Sequence, residues 1–550
     1  MELKTLSNLG RFRDVGSVLI RYGFDDLVAR LELPGMGVLR RIKNHEAELT
    51  PYQRIRHTLE ELGPTFVKFG QVMSIRPDLL PVELIRELQQ LQDDVAPLPF
   101  EKIREVVEAG LNRPLEYFFS HFEEQPTAAA SLSQVHRAVL KENGLVVAAK
   151  VQRPGIRGII RTDLNILDAI ARRIHQRIEG LRVYDLPNIV RVTRRTLLRE
   201  LDFTREARNM RIARSYLEKG GGIYIPEVHF DYCTEKILIM EFAQGTRLKE
   251  VNPSTLSHPE HLAAAGLRSA IKQILEDGFF HADPHPGNLL LTDDENLCLL
   301  DWGMVGRLTE RDRLQLIDLI DTVVEKDSRR LAGSLLAMTF NSGETNRPAL
   351  ERDLLELLDA FYSVPLKELN LGHLLLDITS LLREHALRLP ADLVIMIKAL
   401  VTAEGTARGI YPELNVVAEA EDKVRRLAAK RYRPGVMWRE LRLTLSQLWN
   451  LSQELPGRVT RIMDKMDKGE LHIKFEHENL DGLRSTLDNS SNRLTFGVII
   501  GSMIIGSSMI ITTGVRPLLF GFPLLGILGY LVSGVLGLWL VFNIIRSRRY

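Results

Sequence analysis

Along most of the chain apolar residues recur every three or four positions, and only a few short stretches alternate or run together, so the pattern predicts a largely helical protein with a small amount of sheet. Over residues 1–120 the helical spacing dominates, as in Leu84, Leu88 and Leu91, and Pro81 followed by Glu83 reads as a helix start. From Thr127 a run of small residues leads into Val135 to Leu140, a turn at Asn143-Gly144, and Val146 to Val151, which is the pattern of a β-hairpin. A helical stretch follows from Arg161 to Arg208, and Tyr224 to Val228 and Lys236 to Phe242 read as further strands. Beyond Gly245 helical periodicity runs to Leu448, broken by the loop-rich His281 to Gly303, and Ser452 to Asn492 reads as a polar, partly helical linker. The predicted organisation is a helical extension over 1–120, a sheet-containing lobe over 121–245, a helical lobe over 246–450, a linker over 451–493 and a membrane segment over 494–550.

The membrane segment rests on charge as well as hydropathy. Leu494 to Thr513 holds no charged residue, and at about 1.5 Å per residue it matches a hydrocarbon core about 30 Å thick. Pro517 to Ile545 supplies a second uncharged run, so the two read as a transmembrane helical hairpin. Arg484 and Arg493 precede it and Arg546, Arg548 and Arg549 follow, against Arg516 alone in the connection; the positive-inside rule puts both ends, and the soluble body, in the cytoplasm. Gly497 and Gly501, Ser502 and Gly506, and Ser533 and Gly537 are each four apart, a spacing that serves either packing within the hairpin or a homodimer. At the other end, Arg11, Arg13 and Asp14 come before any apolar run, which argues against a secretory signal, and Glu2, Asp14, Asp25 and Asp26 count against a transit peptide. Phe12, Val15, Val18, Leu19 and Leu27 interleave with Arg11, Arg13 and Arg21, and this is the stretch where any additional membrane-binding surface of the soluble body is expected.

Composition narrows the function classes. Lysine and arginine total 72 against 71 acidic residues, and a net charge of +1 argues against a nucleic-acid partner. Charged residues at 26% and hydrophobic residues at 45% are ordinary for a globular body and argue against long disorder and against a polytopic transporter. The two cysteines, Cys233 and Cys298, form neither a zinc ribbon nor a disulfide framework.

Four features then occur in one order: Ala148-Ala149-Lys150-Val151 on a strand, Arg205-Glu206-Ala207 on a helix, His281-Ala282-Asp283-Pro284-His285-Pro286-Gly287-Asn288, and Asp301-Trp302-Gly303. This is the part order of a protein-kinase-like fold, with the H-x-D-x-x-x-x-N spacing of a catalytic loop. Asn288 leads into the strand Leu289 to Leu291, Asp294 to Asn296 make a turn, and Leu297 to Leu300 return to Asp301, so a hairpin brings Asn288 and Asp301 together. Two oxygen ligands on adjacent strand ends suit Mg²⁺, which also takes substrate phosphates and water. Lys150 would hold the α and β phosphates with Glu206 orienting it, Asp283 would act as base or water-positioner, and the strand end at Glu241 and Ala243 offers backbone to an adenine edge. Pro284 and Pro286 forbid a regular helix, which disfavours His281 and His285 as zinc ligands on one helix face.

The chain resembles the UbiB, AarF or ADCK family of atypical kinases. The residues that carry the resemblance are Val67-Lys68-Phe69-Gly70-Gln71, Ser74 to Pro81, Leu91-Gln92-Asp93, Ala128-Ala129-Ala130-Ser131 with Gln134-Val135-His136, Val151 to Gly155, Glu200-Leu201-Asp202, Glu206-Ala207 with Asn209, and the two loops above. The resemblance implies an α+β, two-lobed, protein-kinase-like fold, MgATP as cofactor, ATPase-type activity, and a role in isoprenoid-quinone synthesis at a bacterial inner (cell) membrane. It implies as partners membrane lipid or quinone precursors and quinone-biosynthesis enzymes. It further implies that Lys68, Gly70 and Gln71 cover the site with Glu200 and Asp202, and that Thr127, Ala128, Ala129, Ala130, Ser131 and Val135 line the nucleotide. Two features of the residues argue independently against ordinary protein phosphorylation. Alanines stand where a kinase has glycines, in what reads as a short exposed loop, and only Met304 to Leu308 separate Gly303 from the capping box Thr309 to Asp312, too little for a peptide-docking activation segment.

Overall fold

The computed structural model describes residues 6–26, 28, 49–74, 80–91, 95–217, 221–341, 345–363, 370–419, 480–520 and 522–546. Residues 75–79 of the Ser74 to Pro81 motif, Gln92, Asp93, and the predicted linker up to residue 479 lie outside them. The chain divides into two units, Met1–Met437 and Trp438–Tyr550.

In the first unit the predicted hairpin forms the centre of a five-stranded antiparallel sheet. Its strands are β1 (Phe119–Phe122), β2 (Ala128–Ala129), β3 (Ser133–Leu140), β4 (Val146–Gln152) and, after the short β5 (Ile223–Tyr224) of another sheet, β6 (Ile237–Glu241). Period-two alternation decides what each face meets. Val147, Ala149 and Val151 of β4 turn to one cluster with Ile103 and Val107, while Ala148 joins Phe203, Ala207 and Met210 on the other side. The predicted strand Tyr224 to Val228 is cut short because Pro226 cannot donate to a ladder, so beyond Tyr224 the only sheet contact is an isolated bridge from Val228 to Met240.

Helices flank this lobe. α1 (Leu6–Arg21), α2 (Pro51–Leu62), α3 (Pro64–Met73), α4 (Val82–Leu88) and α5 (Phe100–Leu111) build the extension, with Pro81 as the cap ahead of α4. The predicted stretch Arg161 to Arg208 is three helices: α6 (Ile156–Arg177), α7 (Leu186–Glu200) and α8 (Phe203–Ser215). The apolar face of α1 is not a membrane face: Phe12, Val15 and Val18 are buried with Leu62, Phe66 and Ile166, and Arg11 reaches the buried Asp163 at 2.8 Å. That burial removes the membrane-binding surface expected there.

The helical lobe contains α9 (Pro259–Lys272), which runs into a π-turn at Gln273–Asp277, then α10 (Glu310–Val324), α11 (Ser328–Met338), α12 (Arg347–Tyr362), α13 (Leu371–Glu384) and α14 (Ala391–Ile410). α14 packs along α9 and against β8 (Phe279–His281) and β11 (Val305–Arg307). β9 (Leu289–Leu291) and β10 (Leu297–Leu299) form the expected hairpin, which also pairs with β5 and the short β7 (Thr246–Arg247). One large core runs from Ala148 and Met240 in the sheet through Leu267, Phe280 and Trp302 to Val394 and Ile410.

The second unit is α15 (Leu480–Thr513) and α16 (Leu524–Arg546), packed on each other. Within α15 the stretch Leu494–Thr513 is long and apolar enough to cross a membrane, and Leu524–Leu540 is a shorter apolar stretch. Close approach between the two helices occurs at Gly526 and Gly529, where an added Cβ would lie 2.5 Å from Ile511 and 2.1 Å from Ser507 Oγ. Gly497, Gly501, Gly506 and Gly537 have no neighbour within 4 Å of that position, so among the described residues the four-apart glycines do not make the hairpin contact.

Phe280, 1% exposed, lies against Gly306 in the β8–β11 pair, where a Cβ would fall 2.0 Å from the ring. Gly306→Ala should therefore cost about 1–3 kcal/mol of stability through overpacking. Gly405→Ala, on the exposed side of α14 with open space around it, should gain up to about 1 kcal/mol. Thermal and denaturant melts of the two variants in detergent check this pair of opposite signs.

Candidate active site

Three lysines from three segments converge on the carboxylates at the mouth of the β9–β10 hairpin. Lys150 sits on the α8 side of β4, and its Nζ lies 2.7 and 2.9 Å from the two oxygens of Glu206 and 3.5 Å from Asp301 Oδ2. It also lies 5.4 Å from the centre of the Phe203 ring. Glu206 is buried in the first turn of α8, and Asp202 caps that helix by accepting from the Thr204 amide at 3.1 Å. Asp202 thus fixes the helix end that presents Glu206. Glu200 ends α7 and meets Lys68 of α3 at 3.1 Å, with both side chains mostly buried. Glu200 and Asp301 flank Gly303: a Cβ there would stand 3.0 Å from Asp301 Oδ1 and 3.9 Å from Glu200 Cγ.

Asp301 accepts from the Gly303 amide at 2.9 Å. Burial opposes its charge, but Lys150, that amide and Lys68 outweigh it and hold the carboxyl down to about 2. Burial likewise opposes the Lys150 charge, yet Asp301 and Glu206 hold the ammonium above its ordinary value. Burial pushes the Glu206 carboxyl up to about 7 against the pull of Lys150, and Asp301 adds to the push. The short double contact is that of an ion pair at physiological pH, and the upward direction for Glu206 reflects how little water reaches it.

The catalytic-type loop is held by its own backbone. The Asp283 amide donates to His281 Nδ1 at 3.0 Å, and the His281 amide donates to Gln273 Oε1 of the π-turn at 3.0 Å. His281 is buried, which lowers its pKa, and because its Nδ1 accepts from the Asp283 amide the ring proton sits on Nε2. It stacks edge-on against Trp302 at 4.9 Å, and Trp302 lies parallel to Phe279 at 6.1 Å. The Trp302 carbonyl accepts from Asn209 of α8 at 3.0 Å, tying the Asp-Trp-Gly turn to the helix that carries Glu206. Asn288 donates its amide nitrogen to the Asp283 carbonyl at 3.2 Å, and Leu300 donates to the Asn288 carbonyl at 3.1 Å, so the hairpin brings Asn288 beside Asp301.

These donors fit Mg²⁺. Asp301 is an ionised, half-exposed carboxylate, and with the Asn288 nitrogen engaged, its amide oxygen is the end left for a cation. Among the described residues there is no group of three or more His, Cys, Asp or Glu that could hold a metal. His281 and His285 do not pair as ligands, since His285 Nδ1 accepts from Gly287.

The alanine segment differs from expectation. Ala128 and Ala129 pair with Val135 and Gln134, the Ala130 amide donates to Ser133, and Arg153 donates to the Ala130 carbonyl at 2.8 Å. Ser131 and Leu132 are buried, so the segment is a packed hairpin tip rather than an exposed loop. Thr127 donates its amide to Val135, closing the other end of the hairpin. Gln71 donates to the Leu91 carbonyl at 3.0 Å, and a Cβ on Gly70 would lie 2.3 Å from Leu91, so both residues hold α3 in place. Glu241 Oε2 accepts from the Glu227 amide at 3.2 Å, away from the lysines, and Ala243 follows the end of β6. Sequence reasoning missed Lys398 of α14, whose Nζ is 3.1 Å from Asp283 Oδ1; its only signal was a lone lysine in the apolar run Val394 to Val401.

A carboxyl whose folded pKa is raised stabilises the fold fully below its unfolded value, near 4.5, and loses that contribution as pH rises through about 7. Relative to Glu206→Gln, the nucleotide-free wild type should therefore lose stability as pH rises from 5 to 8, because the buried His281 and His136, whose lowered pKa values act in the opposite sense, are common to both proteins. Melting temperatures of both proteins across the range check it.

Comparison with known proteins places this geometry. The ABC1 atypical kinase-like domain matches residues 90–335, the UbiB helical domain 354–415 and the ABC1/UbiB kinase-like C-terminal domain 478–546. A probable protein kinase UbiB of Tolumonas auensis is 33% identical over 83% of this chain and 85% of its own length. One of Vibrio cholerae is 30% identical over 96% and 98%. An uncharacterized protein in a hydrogenase 1 5' region of Clostridium pasteurianum is 31% identical over 96% and 99%. With a kinase-like fold of α+β class, a lysine–glutamate pair reaching an Asp-Trp-Gly aspartate, and relatives aligned along nearly their whole length, the chain belongs to the UbiB family of ABC1 atypical kinase-like enzymes.

Proposed function

We propose that this enzyme binds MgATP at the Lys150 cluster, turns it over while anchored in a membrane, and supports isoprenoid-quinone synthesis, as the UbiB name of its relatives suggests. The observation that carries the reading is Lys150 bridging Glu206 and Asp301, the pairing a kinase-type site needs before phosphates arrive. Lys150 contacts the α and β phosphates and Glu206 keeps it oriented. Asn288 and Asp301 hold Mg²⁺, which when bound neutralises charge developing on the phosphates. Asp283 orients the attacking oxygen and takes its proton. The Thr127 to Ser131 hairpin and Val135 cover the nucleotide, and Glu241 and Ala243 meet the base. Lys68, Gly70 and Gln71 of the helical extension close the site together with Glu200 and Asp202 at the α7–α8 junction.

ATP hydrolysis is favoured over protein phosphorylation because β11 returns directly onto β8 after Gly303, and Thr309 caps α10 at once with Asp312 as its reciprocal partner. No length is left there for a peptide-docking segment. Leu494–Thr513 is the first membrane span and the run from Pro517 to Ile545 the second, which keeps the catalytic body on the cytoplasmic side of the bacterial inner membrane. The open faces of Gly497, Gly501 and Gly506 are where a second copy would pack, and membrane-bound quinone precursors and the soluble enzymes that modify them are the partners this placement suits.

MgATP at a hundredfold excess over Kd should stabilise the wild type by about 2.7 kcal/mol, while Lys150→Ala and Asp301→Ala lose that gain. Asp283→Asn should keep it yet fail to rescue a quinone-deficient strain. Retained stabilisation in the first two variants would remove the site; rescue by Asp283→Asn would make the protein an ATP-sensing scaffold instead of an enzyme.

A further inference from the structure

From His281 to Gly303 the chain contains Asp283, Asp293, Asp294, Glu295 and Asp301 but not one lysine or arginine. Apart from the Mg²⁺ proposed at Asn288 and Asp301, this stretch has no positive charge to set against a triphosphate, and on the Asp283 side the γ-phosphate would meet like charge. Cations come from outside the loop: Lys150 on the Asp301 side, Lys68 beside Glu200, and on the Asp283 side Lys398, 3.1 Å away. Lys398 belongs to α14, a helix otherwise fixed to this loop and its surroundings. Thr406 donates to the Pro284 carbonyl at 3.1 Å, and the buried Glu404 accepts from the Gly372 amide at 2.6 Å and from Arg408 at 3.2 Å. The neighbours Ile397 and Ala399 are buried while Lys398 keeps 24% of its side chain exposed, so the ammonium emerges from a rigid wall at the mouth of the site.

We infer that Lys398 is a catalytic residue that contacts the γ-phosphate, a role resting on the MgATP reading above. The geometry sets the distances. A water oxygen held by Asp283 would lie about 2.8 Å from its carboxylate, and the phosphorus it attacks about 3–3.5 Å beyond. Lys398 Nζ, already at hydrogen-bonding distance from Asp283, then reaches the γ-oxygens by side-chain rotation alone. In the step it serves, the water oxygen bonds to the γ-phosphorus, the bond from that phosphorus to the β-γ bridging oxygen breaks to release ADP, and the water proton passes to Asp283. Lys398 supplies charge to the oxygens of the transferring group, and its pair with Asp283 is the resting state that the phosphate displaces.

A structural role predicts a different result from a phosphate contact, because only the latter distinguishes nucleotides by their third phosphate. Affinities of MgADP and of the non-hydrolysable Mg-AMPPNP are measured by titration calorimetry on the full chain in detergent, for wild type, Lys398→Met and Lys398→Arg, with ATPase kcat alongside. Lys398→Met should weaken Mg-AMPPNP at least tenfold while MgADP stays within twofold, kcat should fall, and Lys398→Arg should recover part of the AMPPNP affinity. Equal weakening of both nucleotides, or no change in either, would overturn the assignment while leaving the MgATP site standing. A wild type that binds neither nucleotide would overturn the MgATP reading, and this one with it.

Discussion

Everything at the centre of this enzyme depends on keeping one ammonium ion charged where water is scarce. Lys150 has 14% of its side chain exposed and Glu206 has 4%, so neither charge is solvated well and each needs the other. Removing one partner of such a pair typically costs about 3–5 kcal/mol, since the remaining charge is left without compensation. The sheet cannot place Lys150 by itself, nor can α8 place Glu206. The pair exists because β4 lies against α8 through Ala148, Phe203, Ala207 and Met210 and because Asp202 sets where α8 begins.

The same pair transmits position across the lobes. Asp301 reaches Lys150 from the helical lobe, and the next residue, Trp302, is locked between Phe279 and His281 while its carbonyl holds Asn209 of α8. Lys68 of α3 pairs with Glu200 at the end of α7, and its charge also acts on Asp301. A tilt of α8 would therefore disturb Lys150, Trp302 and Asp301 together.

Much of this was legible in the chain because the chemistry is local in sequence. The β9–β10 hairpin between Asn288 and Asp301, the capping box at Thr309 and Asp312, and the cap at Pro81 each depend on residues within a few positions of one another, and each is where the spacing put it. What escaped depends on contacts between distant residues. The face of α1 is amphipathic in the way a membrane helix is, and only the partner surface of Leu62, Phe66 and Ile166 reveals that it is buried. The alanine segment reads as a loop because small residues carry no period, whereas its burial is set by Arg153 and by the cluster that takes in Leu132. Lys398 lies 115 positions beyond Asp283 in numbering, on a helix whose apolar pattern gives no hint that one lysine turns toward the site.

The central claim is that Asn288 and Asp301 form a divalent-cation site completed by a bound nucleotide. Its most direct test is a crystal or cryo-cooled detergent complex with Mn²⁺ and AMPPNP, read by the anomalous signal of manganese. The account predicts a single strong peak bonded at about 2.1 Å to an oxygen of Asp301 and to the Asn288 amide oxygen, with the remaining positions filled by phosphate oxygens and water. Nucleotide bound with no metal peak at these two residues, or a peak held by other side chains, would contradict it.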